Sequence, residues 1–270
     1  MDDCAWLIST REGVGRVLLA RHDILPGTVI VTDTAVVSTP DGHPVCVGCL
    51  ASITALSVPC TLCGWMVCGQ LCQEAETHRE ECRLFRENNI VPTIHYVHYL
   101  LPPGLYLVLQ VLRVLLVTKD NIQEDIEENK YYKSEKENIN INDKNDMLEN
   151  PCEKKSMIDG LMSHMSARCR DSGVYEMVKY VTTYCRVKLG LQWVTEAAVL
   201  HAYGVLKTNA VGHVTCTGGR QCYLYPTVSL LSHSCAPNME MVGIPANKVQ
   251  MVATRCIKQG EELTWRLKQH

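Results

Sequence analysis

Eight side chains between positions 46 and 82 are spaced for metal binding. Cys46, Cys49, Cys60, Cys63, Cys68, Cys72, His78 and Cys82 read C-x2-C-x10-C-x2-C-x4-C-x3-C-x5-H-x3-C. A CxxC pair lets two thiolates of one turn reach the same ion, so each pair is half a site, and thiolate ligands select zinc over magnesium or calcium. Eight such ligands are the number that two closed tetrahedral zinc sites require. With four ligands per ion no coordination position stays open, so the sites are structural and activate no water. Binding of about 10–16 kcal/mol per structural zinc is expected to supply the folding free energy of the segment.

Buried unligated cysteines and disulfides are the competing readings of the same residues. Seven of the chain's 15 cysteines lie in this window. The opening Met1-Asp2-Asp3-Cys4 is acidic, unlike a secretory leader, so the chain reads as intracellular, in nucleus or cytoplasm, where thiols stay reduced and clustered cysteines mean metal or catalysis before disulfides. A finger that reads DNA is disfavoured by charge. Between Cys46 and Cys82 the basic side chains are His78 and Arg79, set against Glu74, Glu76, Glu80 and Glu81, and such a surface repels phosphate.

The elements that must position these ligands follow from pattern. Arg16 to Ala20 and Thr28 to Val31 are β-rich runs around the turn dipeptide Pro26-Gly27. The apolar stretch Gly104 to Val117 is interrupted by Gln110 and Arg113, and it is too short and too charged to span a bilayer, so it reads as a buried helix. Residues 120–155 hold 11 acidic and six basic side chains with seven asparagines, which predicts a disordered acidic loop. Outside that loop the chain is nearly neutral and carries no broad basic field, so no direct contact with nucleic acid is expected. Met177, Tyr180, Val181 and Tyr184 recur at helical spacing, and Val194 to Leu206 repeats the pattern. Val228 to Leu231, Lys248 to Ala253 and Glu262 to Trp265 read as short strands. Strands at both ends with helices between them make an α+β fold.

The order and spacing of the eight ligands resemble a MYND zinc finger, with Cys68-Gly-Gln-Leu-Cys72-Gln, His78 and Cys82 as its C-terminal half. The resemblance implies interleaved ligands, Cys46, Cys49, Cys68 and Cys72 on one zinc and Cys60, Cys63, His78 and Cys82 on the other. It also implies a module that captures short proline-containing peptides. Three further segments resemble a SET domain: Gly13 to Ile24 followed by Pro26 to Ile30, Leu230 to Asn238, and Ile257 to Thr264. Together they resemble the SET-and-MYND (SMYD) proteins, in their arthropod-type branch.

That family's layout implies a SET-domain β fold split by the inserted finger and a helical insertion. Residues 1–45 would be its N-terminal part, 46–82 the finger, 83–208 the helical insertion with the acidic loop, and 209–270 the C-terminal part, truncated before the post-SET segment. The implied chemistry is methyl transfer from S-adenosyl-L-methionine to a lysine of a protein such as a histone, by a monomer away from any membrane. The implied cofactor contacts are Val14, Gly15, Arg16, Asn209, Ser232 and His233. Two positions depart from the pattern: Ser232 stands where the family usually has asparagine, and Leu267 where its catalytic tyrosine falls. The catalytic residue therefore stays unassigned, and a SET scaffold with little turnover, used for protein recruitment in transcriptional regulation, is the alternative.

Overall fold

The computed structural model describes residues 4–12, 15–41, 45–92, 104–128, 158, 160–214, 220–244 and 247–266. Strands β1 (Trp6–Arg11), β2 (Gly15–Ala20), β3 (Val29–Thr34) and β4 (Val37–Pro40) are followed by the short β5 (Val58–Pro59) and β6 (Met66–Val67). Helices α1 (Gln70–Gln73), α2 (Glu76–Glu87), α3 (Leu105–Glu128), α4 (Met165–Arg168), α5 (Ser172–Thr183) and α6 (Glu196–Asn209) come next, and α5 runs on into a π-helical turn at Tyr184–Lys188. The chain closes with β7 (Val211–Val214), β8 (Arg220–Leu224), a 3-10 turn at Val228–Leu230, β9 (Ser232–His233), β10 (Met239–Ile244), β11 (Lys248–Ala253) and β12 (Thr264–Trp265). Strands toward both ends and helices between them make the α+β fold that the sequence pattern predicts.

The contacts gather the chain into two compact units, drawn differently from the four sequence segments. One comprises Met1–Val36, Asp125–Leu161 and Tyr225–His270, the other Val37–Glu124 and Met162–Leu224. In the first unit β1 and β2 pair antiparallel from Trp6↔Ala20 to Arg11↔Gly15. The two β-rich runs flanking Pro26-Gly27 do not pair with each other. β3 joins β11 instead, in the antiparallel sheet β10-β11-β3. Alternation along β11 buries Val249, Met251 and Ala253, and with Leu18, Ile24, Val31, Met239, Ile257 and Leu263 they form the core of this unit.

The expected strand at Val228 to Leu231 is a 3-10 turn. Buried Asp33 accounts for the difference, because its Oδ2 accepts the Thr227 and Val228 N–H groups at 2.7 and 3.1 Å. A carboxylate holding successive amides favours a turn over a ladder. Only Leu231 onward is extended, leading into β9.

In the second unit β4, β8 and β7 form an antiparallel sheet and β5 pairs with β6. Helix α5 starts on Asp171, whose carboxylate accepts from Gly173 N and Val174 N, and α6 on Thr195, whose hydroxyl accepts from Ala198 N. Helix α3 buries Val108, Leu109, Val111, Leu112 and Leu115. It also continues to Glu128, so residues 120–128 are helical where a disordered loop was expected. Propagating an established helix adds one hydrogen bond per residue, and Gln123, Glu124, Glu127 and Glu128 of this segment are good helix formers. Residues 129–155 of that expected loop lie outside the described residues. Among the described residues no helix is long and apolar enough to cross a membrane.

Candidate functional site

The eight ligands fall into two sets in the second unit. Cys46, Cys49, Cys68 and Cys72 bring their sulfur atoms within 4.8 Å of one another, and so do the ligand atoms of Cys60, Cys63, His78 and Cys82. The first set is placed by the two-residue loop between Cys46 and Cys49 and by α1. Gly48 makes that approach possible: a Cβ there would strike the Cys72 carbonyl and stand 2.8 Å from its Cα. The second set joins the Cys60–Cys63 turn, closed by Gly64 N donating to Cys60 O at 2.9 Å, to α2, where His78 and Cys82 share a face four residues apart.

Zinc fits both sets. Two sulfurs on one tetrahedral zinc stand about 3.8 Å apart, and a sulfur and an imidazole nitrogen slightly less. Cys49 and Cys68 Sγ are 3.7 Å apart, Cys60 and Cys82 Sγ 3.9 Å, and Cys63 Sγ lies 3.4 Å from His78 Nε2. Burial, with Cys46 adding like-charge repulsion, pushes the Cys72 thiol up to about 12 and raises that of Cys68 as well. A bound divalent ion reverses that balance. Each set offers four ligands, so an ion held there would have a structural part.

The surroundings of the two sets differ. In the first, Cys49 and Cys68 are exposed, whereas all four ligands of the second are buried. His78 Nδ1 lies 3.0 Å from Glu81 Oε1, which leaves Nε2 as the ligand atom. Glu81 is 1% exposed and receives Arg113 on both oxygens, Nε to Oε2 at 2.7 Å and Nη2 to Oε1 at 2.5 Å. Arg113 then donates to the carbonyls of Ser38 and Val47, each at 2.6 Å. Burial alone would raise the Glu81 carboxyl, but the charge and hydrogen bonds of Arg113 together with the His78 bond outweigh it and hold it below the usual carboxylate range. Sequence reasoning read Glu81 as one more surface acid and Arg113 as an interruption of an apolar run. The available signal was the i, i+3 spacing of Glu81 from His78; Arg113, 35 positions beyond His78, gave none.

Metal is not the sole support of this segment, contrary to the expectation from its ligands. Val45, Val47, Leu50, Trp65, Met66, Val67 and Phe85 are buried. Trp65 packs against Phe85 and Tyr106, each with ring centroids 5.4 Å apart. Tyr106, on α3, binds both the N–H and the C=O of Val45 through its hydroxyl, at 3.0 and 3.1 Å. This segment shares an apolar core with α3.

In the first unit the three motif segments meet. Ala20 N donates to Glu261 O at 2.9 Å, and Leu263 N to Leu18 O at 2.8 Å, laying 260–263 along β2. β9 pairs in parallel with β12, Ser232 beside Thr264 and His233 beside Trp265. Buried Asn238 ties the second motif to the third, its Nδ2 donating to Glu262 O at 2.8 Å and its Oδ1 accepting from Thr264 N at 2.8 Å. Glu262 completes the connection. One carboxylate oxygen takes the Ser232 hydroxyl, and the other pairs with Arg11 Nη1 at 2.6 Å, opposite Gly15 in the β1–β2 register.

Of the expected cofactor residues, Gly15, Arg16, Ser232 and His233 belong to this unit, and Val14 lies outside the described residues. Gly15 has φ +93° and would meet nothing within 4 Å with a Cβ, so the backbone there is bare and open, in a conformation that disfavours side chains. Arg16 donates through Nη2 to Gly160 O at 2.5 Å. His233 is exposed. Asn209 belongs to the second unit, at the C-terminal end of α6. Its Nδ2 donates to Met162 O at 2.8 Å and to Val205 O at 2.9 Å, a helix-end arrangement. Leu267 lies outside the described residues.

Comparison with known proteins follows this geometry. The family model described as SET domain matches residues 15–266. The chain is similar to a protein of Arabidopsis thaliana named Histone-lysine N-methyltransferase ASHR1, 26% identical over 249 residues, 87% of this chain and 44% of that protein. It thus spans less than half the length of the curated relative it matches. Among solved structures it is similar to the SET domain of LSMT bound to lysine and AdoHcy, with a TM-score of 0.45 and 14% identity over 99% of this chain and 50% of that one. It is also similar to Rubisco LSMT bound to AdoMet, with a TM-score of 0.43 and 12% identity over 99% and 49% of the two chains.

Proposed function

The chain belongs to the SET domain family, and from that premise we propose that it is an S-adenosyl-L-methionine-dependent protein-lysine methyltransferase of the SET-and-MYND branch. The observation that carries this reading is the meeting of the three motif segments, 15–24, 230–238 and 257–264, around Asn238 and Glu262. That knot brings the bare backbone at Gly15 and the strand Ser232–His233 into one unit, and these residues, with Val14, Arg16 and Asn209, are the proposed cofactor contacts. The name of the Arabidopsis relative supports a protein lysine, in a histone or another protein, as the acceptor.

S-adenosyl-L-methionine would supply a methyl group on a sulfonium. The chain's part is to orient the acceptor amine, keep it unprotonated in an apolar channel and exclude water from the line of transfer. Glu262 holds its place by Ser232 and Arg11, and so fixes the edge of β2 on which Gly15 lies. The serine at 232 is engaged by this carboxylate, where an asparagine would offer an amide to the cofactor.

The two cysteine sets support a MYND finger with two structural zinc ions, recruiting proline-containing peptides. A second reading, a recruitment scaffold with little turnover, has one observation in its favour, Leu267 at the position of the family's tyrosine. Labelled methyl transfer from S-adenosyl-L-methionine into a mixed protein extract separates the two. Transfer to lysine by the unaltered chain upholds the enzyme. Transfer only by Leu267→Tyr, or by neither, upholds the scaffold.

A further inference from the structure

Arg113 is the buried cation on α3, and its surroundings name its task. Its guanidinium spends two bonds on the carboxylate bonded to His78 in the second ligand set, one on the Val47 carbonyl in the Cys46–Cys49 loop of the first, and one on the Ser38 carbonyl on β4. A guanidinium 6% exposed and a carboxylate 1% exposed are expensive to desolvate, and such a pair is retained where its geometry serves something besides stability. Here the geometry serves a histidine ring. A carboxylate on Nδ1 fixes the tautomer, turns Nε2 toward the ion and raises its basicity. Glu81 alone could swing to water. The fork of Arg113, bonded to both oxygens, prevents it.

From this we propose that Glu81 and Arg113 are positioning residues for the metal at Cys60, Cys63, His78 and Cys82, and that this relay joins the loading of that one ion to the packing of α3 and β4. At Cys46, Cys49, Cys68 and Cys72 Arg113 reaches only the Val47 carbonyl and no ligand side chain, and with two ligands exposed that metal is removable first. The inference rests on the zinc reading given above. It predicts an order of loss: a chelator takes the four-thiolate ion first and leaves α3 packed, then takes the Cys3His ion and opens α3 in the same step.

The test uses the full zinc-loaded chain. Cobalt(II) exchange distinguishes the sets, because four thiolates and three thiolates with one imidazole give different absorption bands. Graded chelation should remove the four-thiolate signal first, with backbone amides of residues 106–115 staying protected from hydrogen exchange until the second signal falls. Glu81→Gln combined with Arg113→Met leaves no charge buried and nearly conserves volume. It should weaken zinc at the second set by about 10- to 100-fold, affect the first set far less, through the lost Val47 bond alone, and shift the His78 Nδ1 proton resonance. Equal weakening of both sets, wild-type affinity in the double variant, or protection of 106–115 that survives removal of both ions would overturn the proposal. A chain that binds no zinc from the start would overturn the metal reading itself, and the relay with it.

Discussion

The side-chain oxygen of Asn238 accepts the Thr264 backbone N–H at 2.8 Å, and the backbone N–H of Asn238 returns a bond to the Thr264 hydroxyl at 3.3 Å. With Nδ2 on the Glu262 carbonyl, one buried carboxamide satisfies the backbone of a segment 24 to 26 positions away. No other short polar side chain offers a donor and an acceptor in that fork.

Asn238→Ala should therefore destabilise the protein by about 1–3 kcal/mol, since it orphans a half-buried N–H and a half-buried C=O. Asn238→Asp should cost a similar amount, because a carboxylate cannot donate to Glu262 O. The midpoint of urea unfolding at constant slope measures both. A change below a few tenths of a kcal/mol in either variant would show that the knot does not hold the two motifs together.

The two metal sets should be separable by substitution. Emission analysis of the purified protein should give two zinc ions per chain. Gly48→Ala drives a methyl group into the Cys72 backbone and should release the metal of the first set alone, leaving one. Cys63→Ala should release the metal of the second set and lower the melting temperature much further, because that set lies in the core shared with Trp65, Phe85 and Tyr106. Equal thermal shifts for the two variants would contradict this asymmetry.

Acid should reveal the Glu261 latch. Its carboxylate takes Arg255 Nη2 at 2.5 Å, Lys258 N at 3.1 Å and Asn238 Nδ2 at 3.2 Å. The Arg255 bond first, then the Lys258 amide, hold its carboxyl down to about 2 against an ordinary 4.5. A depressed folded-state value means stability present above the ordinary value and lost as pH falls toward 2. Wild type should exceed Glu261→Gln in stability at pH 6, and the difference should shrink between pH 4.5 and 2. Metal loss in acid affects both proteins alike and cancels in the comparison. A difference independent of pH would remove the ionised carboxylate from the account.

The cysteine sets were legible because metal ligation is written locally. CxxC turns and a helical His-x3-Cys place their ligands within a turn or two, and spacing alone exposes them. The strands at 16–20 and 248–253 were legible for a similar reason, in alternation and β-branched content. Pairing was not, since β3 chooses β11 across more than 200 positions, and nothing local records that choice. Asp33 turned Val228–Leu230 from an expected strand into a 3-10 turn from 194 residues away. Arg113 has the same lesson: its charge read as a flaw in an apolar helix until Glu81, at a distance of 32 positions, supplied the partner.

The central claim is that the unit holding Gly15, Arg16, Ser232 and His233 is a cofactor site, and calorimetric titration of the zinc-loaded chain with S-adenosyl-L-methionine tests it without any acceptor protein. The account predicts saturable binding of one cofactor per chain. Gly15→Val, which strains the bare turn and covers it, should abolish that binding, and His233→Ala should weaken it. Absence of binding by a folded, two-zinc protein, or binding untouched by both substitutions, would contradict it.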